Sequence, residues 1–269
     1  MPQIVQIDKL VHGGQGLGVL PDGRKIFVWN ALPGEQVSVE ITNNKKSYAE
    51  GISVDIIKAS VERIEPKEKN YLSTSPWQIM DFATENHWKQ LITQELFSQA
   101  GVKLPKFDIQ SDNVEFQYRN KMEFSFSQHA EGKKYLGLIL DGGKGRVLNL
   151  TECHLVNPWF TTALKAVNQW WHESDLQAYN MHKNTGSLRT LTVREGLSTG
   201  DRMIMLTVSG NPDFALHRHH LEGFVAFLRS AIEPLNPAVN LSIYLRIQQI
   251  AKGMPTNFYE MHLHGSDTI

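Results

Sequence analysis

Short apolar runs and turn-forming clusters alternate along the first sixty residues. The runs IVQIDKL, GLGVLP, RKIFVWN, EQVSVEIT and AEGISVDIIK are rich in Val, Ile and Phe. They are separated by Gly13-Gly14, Pro21-Asp22-Gly23-Arg24, Leu32-Pro33-Gly34-Glu35 and Asn43-Asn44. QVSVEI alternates at period two, the pattern of a half-buried strand. Five such strands in so short a span predict a small β-barrel over residues 1–62. The charged, proline-containing stretch ERIEPKEKN then reads as a linker, within a segment spanning 63–83.

Helical periodicity first appears at 84–100. Thr84 is the candidate N-cap, Gly101 the stop, and Trp88, Leu91, Ile92, Leu96, Phe97 and Ala100 form a broad apolar face that needs a partner. This helix and its exit, 84–106, form a third segment. Residues 107–269 form a fourth. Its first part is again β, with VEFQYRNKMEFSFSQ, KKYLGLIL and GRVLNL, and a turn at Gly142-Gly143. A helix follows over 158–176, starting at Asn157-Pro158 and carrying Trp170-Trp171. LRTLTVREG and DRMIMLTVSG pair as a hairpin around EGLSTGD. A helix over 215–233 comes next, and NLSIYLRIQQI and TNFYEMHLHG form a last strand pair. The fold class is therefore a β-rich α+β protein: an N-terminal five-stranded barrel plus a central mixed α/β domain with an antiparallel sheet.

Charge narrows the choice of partner. With a net charge of -1, the chain as a whole is not a polycation, so any nucleic-acid contact must use local patches. A single cysteine, Cys153, excludes a disulfide framework and a metal cluster built on several thiolates. A signal peptide pattern and an apolar run of membrane-spanning length are both missing, which predicts a cytoplasmic protein without membrane contact.

The opening HGGQGLGVLPDGRKIFV looks at first like a phosphate loop. However, Gly14, Gly16 and Gly18 are followed by strand-forming residues where a dinucleotide fingerprint requires a helix. Gly18 and Gly23 have P-loop spacing but lack the hydroxyl residue after Lys25. Tight turns of a barrel explain these glycines better. Cys153 reads as a small buried hydrophobe, because His154 beside it on extended backbone points to the opposite face. His217 and His220 share a helix face at i, i+3 without a zinc-protease motif, and read as solvated. His262 and His264 share a strand face and read as exposed. The remaining candidates are basic and aromatic. They comprise Lys45, Lys46 and Tyr48 in NNKKSY, Tyr118, Arg119 and Lys121 in FQYRNKMEF, and Lys183, Arg189 and Arg194 in HKNTGSLRTLTVR. Such strand faces suit single-stranded RNA, with cations on phosphates and rings under bases.

The run IDKLVHGGQGLGVLPDGRKIFVWNALPGEQVSVEI closely resembles a TRAM domain, a small OB-like RNA-binding barrel. SPWQIMDF, YRNKMEF, NLTECHLVNP, TGSLRTLTVREG and LHGSDTI resemble, in order, segments of the bacterial RNA uracil-C5 methyltransferases. The resemblance implies an S-adenosylmethionine-dependent enzyme, with a cysteine attacking C6 of uracil and a carboxylate removing the C5 proton. It also implies RNA as partner, with rRNA favoured over tRNA. RNA contacts are expected from Arg24, Lys25, Lys45, Lys46, Tyr118, Arg119, Lys121 and Arg189. Many members hold an iron–sulfur cluster on cysteines spaced C-x5-C-x2-C plus a fourth. Here PKEKNYLSTSPWQ carries none, and Cys153 matches the fourth position alone, so no cluster is expected and packing of Trp77 should stand in. The family's catalytic motifs would lie beyond Ile269. The expectation is therefore the RNA-recognition portion of such an enzyme, with no catalytic residue in this chain and no activity of its own. In that family the helix at 84–100 packs on the catalytic domain; without it, its apolar face is expected to be covered by a second copy or a crystal neighbour, or by a shifted helix. The alternative is a stand-alone RNA-binding module.

Overall fold

The computed structural model describes residues 2–129, 131–140, 146–250 and 255–268. It divides into two compact units, Met1–Glu115 and Phe116–Ile269.

In the first unit, β1 (Gln3–Leu10), β2 (Gly16–Val19), β3 (Lys25–Trp29), β4 (Gln36–Asn44) and β5 (Tyr48–Lys58) close into a barrel of order β1-β2-β3-β5-β4. Only β3 and β5 pair in parallel. Alternation decides what fills the barrel. Val5, Ile7, Ile26, Val28, Val37, Val39 and Ala49 point inward and form its core. The opening glycines serve the closure. Gly13 and Gly14 adopt φ of +96° and +90°, a region side chains rarely enter, and so turn β1 into β2. At Gly18 a Cβ would stand on the Gln6 carbonyl and the Val5 side chain, so the close approach of β1 and β2 excludes any larger residue.

The charged stretch after β5 is an anchor where a linker was expected. Glu35 is fully buried. Its carboxylate accepts from the backbone N–H of Leu32 at 2.8 Å and of Ser60 at 3.2 Å, and from the Arg63 guanidinium at 2.5 and 2.8 Å. Arg63 also donates to the Asn30 carbonyl at 3.2 Å, and the Ile64 N–H donates to the Ile79 carbonyl at 2.9 Å. After the short helix α1 (Tyr71–Thr74), the Trp77 indole donates to the Gly14 carbonyl at 2.9 Å. Packing of Trp77 is only part of what organises this segment. The Glu68 carboxylate, 2% exposed, accepts from the Thr74 hydroxyl and from Gln78 Nε2 at 2.7 Å.

Helix α2 spans Phe82–Gln99, and its N-cap is Asp81, three residues before the expected Thr84. The Asp81 side chain accepts from the Thr84 N–H at 2.7 Å, which holds its carboxyl below the ordinary range. Thr84 is thus the donor to the cap. The expectation of an unpartnered apolar face is corrected in part. Trp88 and Ile92 pack on Leu10, Leu32, Ile79 and Met80 of the same unit, and the Trp88 indole donates to Glu62 at 3.0 Å. Lys9 on β1 forms an ion pair with Glu95. Leu91, Leu96 and Phe97 remain exposed.

The second unit is a seven-stranded sheet of order β12-β11-β10-β9-β6-β7-β8. Its strands are β6 (Lys121–Gln128), β7 (Lys134–Ile139), β8 (Val147–Asn149), β9 (Leu188–Glu195), β10 (Arg202–Ser209), β11 (Leu241–Gln249) and β12 (Asn257–His264). The β9–β10 and β11–β12 pairs are the antiparallel pairs that periodicity predicts. The join between them, β10 to β11, is parallel, because α4 (Arg218–Ile232) crosses over between the two strands. α4 and α3 (Trp159–Glu173) bury Phe160, Trp170, Trp171, Phe224 and Leu228 with the inward strand residues Phe124, Leu191, Ile204, Leu206 and Ile243. The segment 107–120 forms no strand, since Asn113 and Gln117 take φ of +59° and +57° and break the extended chain. The expected Gly142-Gly143 turn lies outside the described residues.

The start of α4 corrects the reading of its histidines. His217 is the N-cap, so it does not share a helical face with His220, and His220 is buried. The His217 N–H donates to His220 Nδ1 at 3.1 Å. That leaves the ring hydrogen on Nε2, facing Asp175 Oδ1 at 2.9 Å. This bond holds the Asp175 carboxyl below the usual carboxylate range. A carboxylate lowered by folding stabilises in full above its unfolded pKa, and that contribution is lost as pH falls through the folded value. We expect wild type and Asp175→Asn to differ in melting temperature at neutral pH and to converge through the acidic carboxylate range. A constant difference across an acid titration of thermal melts would contradict the assignment. His262 is exposed as expected, beside the Tyr244 ring at 5.3 Å, whereas His264 is half-buried with its Nε2 3.1 Å from Glu233.

Candidate nucleic-acid interface

Alternation along β3 sends Lys25, Phe27 and Trp29 to the outside of the barrel while Ile26 and Val28 go inward. Parallel register with β5 sets Lys25 beside Tyr48. The Phe27 and Tyr48 rings meet edge to face, with centroids 5.8 Å apart and planes at 80°. Just before Tyr48, Lys45 and Lys46 are exposed in the β4–β5 turn, which the Lys45 N–H closes on the Tyr48 carbonyl at 2.9 Å. Of the four predicted barrel cations, Lys25 is thus registered beside the aromatic pair, and Lys45 and Lys46 lie in the turn that leads into it. The fourth, Arg24, is committed elsewhere. Its guanidinium bonds Asp22 at 2.6 Å, the Asn44 side chain at 2.6 Å and the Lys45 carbonyl at 2.7 Å, and so fixes the loop that presents the lysines. Phe27 was not among the predicted contacts. Its signal was the KIFVW alternation, which puts an aromatic residue outward.

In the second unit the other candidates lie on strands β6 and β9 and in the flanking loops. Lys121 on β6 pairs directly with Arg194 on β9, and both are exposed. Like charges directly opposite one another destabilise a sheet, a cost an anionic partner would relieve. Tyr118 is half exposed, with the Arg119 guanidinium 5.9 Å from its ring. Arg189 stacks on the Tyr179 ring at 4.0 Å, a contact no sequence motif signalled. Lys183 is exposed in the loop after Asn180.

Cys153 lies in the core of this unit, 8% exposed, with its sulfur 3.9 Å from that of Met122. It packs as a small hydrophobe. Among the described residues, no three His, Cys, Asp or Glu side chains gather as a metal site, and no helix is long and apolar enough to cross a membrane.

Residues 3–54 match the TRAM domain family. The chain is 44% identical over 241 residues to an uncharacterized RNA methyltransferase of Protochlamydia amoebophila, an alignment covering 88% of this chain and 54% of that protein. It is 28% identical over 207 residues to an uncharacterized RNA methyltransferase of Thermotoga maritima, covering 76% and 46%. A Pyrococcus abyssi tRNA (uracil-54, C5)-methyltransferase, solved with S-adenosyl-L-homocysteine, shares the fold with a TM-score of 0.60 at 15% identity. That match covers 98% of this chain and 60% of that one. The chain spans about half the length of the curated relatives it matches. Barrel and match together define a protein with a TRAM domain. In sequence it is similar to uncharacterized RNA methyltransferases, and in fold to that archaeal enzyme.

Proposed function

We propose that this chain is the RNA-recognition portion of an S-adenosylmethionine-dependent RNA 5-methyluridine methyltransferase of the cytoplasm. The observation that carries the RNA reading is the exposed Lys25 beside the Phe27–Tyr48 pair, with exposed Lys45 and Lys46 in the turn before Tyr48, on the TRAM barrel. Flexible cations beside aromatic rings provide phosphate pairing and base stacking at once. Lys121 with Arg194, and Arg119 with Tyr118, offer the same chemistry on the second unit. Arg24 acts in this reading by positioning Lys45.

S-adenosylmethionine is the methyl donor this family implies. The described residues do not fit its usual cradle. The glycine-rich loop at 13–18 runs from β1 into β2, so no helix N-terminus follows it. No step of methyl transfer is therefore assigned to these residues. The relatives give no support to the expectation that the chain is inactive by itself, and transfer of labelled methyl groups to RNA measures that directly.

The test of RNA recognition is affinity as a function of salt. Lys45→Glu with Lys46→Glu is expected to weaken binding to single-stranded RNA by at least about tenfold. It should also flatten the salt dependence by about 0.7 in log–log slope for each lost phosphate contact. Unchanged affinity and slope would overturn the barrel surface. The proposed target is rRNA over tRNA; a preference for tRNA in the same assay would reverse that assignment.

A further inference from the structure

A small polar cavity opens in the second unit where β10 and β11 end side by side. Its volume is about 220 Å³, and its lining includes Arg189, Tyr179, Asn184, Asn211, Gln248 and Gln249. Sites for drug-sized ligands begin at about 300 Å³, so this one suits a single small unit. β10 and β11 are the parallel pair, and the space beyond the carboxyl ends of parallel strands is where open sheets bind ligands.

The walls are held in place from within the unit. The Tyr179 hydroxyl donates to Asn184 Oδ1 at 3.0 Å, and Asn211 Nδ2 donates to the Asn184 carbonyl at 3.0 Å. The Tyr179 ring thus fixed supports the Arg189 guanidinium 4.0 Å above it. Among the described residues the cavity is lined by no Asp or Glu, and no carboxylate forms an ion pair with Arg189. By contrast Arg24, Arg63, Arg218, Arg229 and Arg246 each have such a partner. A preorganised guanidinium without a carboxylate, in a cavity also lined by Gln248 and Gln249, selects a ligand with one anionic end and one end rich in both donors and acceptors. A nucleotide has that pairing: the phosphate for the guanidinium fork, the base edge for the amides.

We propose that this cavity is a nucleotide subsite, holding one phosphate and its base from the RNA strand. The proposal rests on the RNA reading above and adds a specific place where one nucleotide is read. In NMR titrations, millimolar uridine monophosphate is expected to shift the Arg189 Nε–H and the side-chain amides of Asn211 and Gln248. Arg189→Lys, which keeps the charge and loses the fork, should weaken this binding about tenfold or more. Unmoved signals at saturating nucleotide would overturn the subsite. So would inorganic phosphate reproducing every shift while uridine produces none, since that describes an anion site alone. RNA affinity of the same chain separates the two readings. RNA bound with the cavity signals unmoved removes the subsite and leaves the RNA reading intact. Nucleotide bound at Arg189 with no affinity for RNA removes the RNA reading and keeps a nucleotide cavity.

Discussion

Glu35→Ala destabilises the first unit by about 3–5 kcal/mol, the cost of leaving one member of a buried ion pair alone. Glu35 is completely enclosed and satisfies four donors, two from Arg63 and two from the backbone N–H groups of Leu32 and Ser60. Its loss leaves those donors unsatisfied and the guanidinium, 16% exposed, uncompensated. Domains have about 5–15 kcal/mol of stability in all, so the barrel should lose a large share of its own. Urea unfolding of the variant measures this directly. Adding Arg63→Met to Glu35→Ala should recover part of the loss, because the stranded charge goes, and leave the cost of the two orphaned backbone N–H groups. A double variant no more stable than Glu35→Ala would show that the ion pair itself contributes little.

Trp171→Ala should cost the second unit about 3–5 kcal/mol, the range for emptying a large aromatic site in a packed core. Trp171 is fully buried, donates its indole N–H to the Leu176 carbonyl at 2.9 Å and meets Phe126 edge-on at 5.0 Å. Lys134 reaches over the same ring and donates to the Trp171 carbonyl at 2.6 Å and that of Ser174 at 3.0 Å. Its partial burial holds the ammonium below its ordinary pKa. The exposed Leu197 is the matched control, and Leu197→Ala should stay within about 0.5 kcal/mol of wild type. Equal losses for the two variants in denaturant melts would contradict the assignment of Trp171 to the core.

Both sites show how unevenly the sequence revealed the structure. Barrel strands were legible because period-two alternation and turn chemistry are local. KIFVW bounded by Gly23 and Asn30 has one sensible reading. The ordered motifs from Gly13-Gly14 to Leu32-Pro33-Gly34-Glu35 likewise carried the TRAM resemblance that the family match supports. Glu35 was visible only as a turn residue. Its burial depends on Arg63, 28 positions on, in a stretch whose charge reads as solvent-exposed. His220 was misplaced because the helix begins one residue after His217, and a cap is decided by one backbone angle.

The proposed RNA-contact residues divide along the same line. Lys45, Lys46 and Tyr48 stand together in the chain and could be named in advance. The partnership of Lys25 with Tyr48 required the parallel β3–β5 register, and the face shared by Lys121 and Arg194 required β6 to lie beside β9. Arg24, which by sequence resembles any other exposed cation, is bound by Asp22 and Asn44 once the loops meet.

The sequence by itself determined the barrel strands, the three long helices, the Gly13-Gly14 turn and the similarity to RNA methyltransferases, because each is encoded in spacing along a few adjacent residues. Only the tertiary structure decided which charges are buried, which cations remain available and where Arg189 finds Tyr179, Asn211 and Gln248. Those outcomes depend on contacts between residues tens of positions apart, and burial, which sets the electrostatic value of every such contact, exists only after the chain has closed on itself.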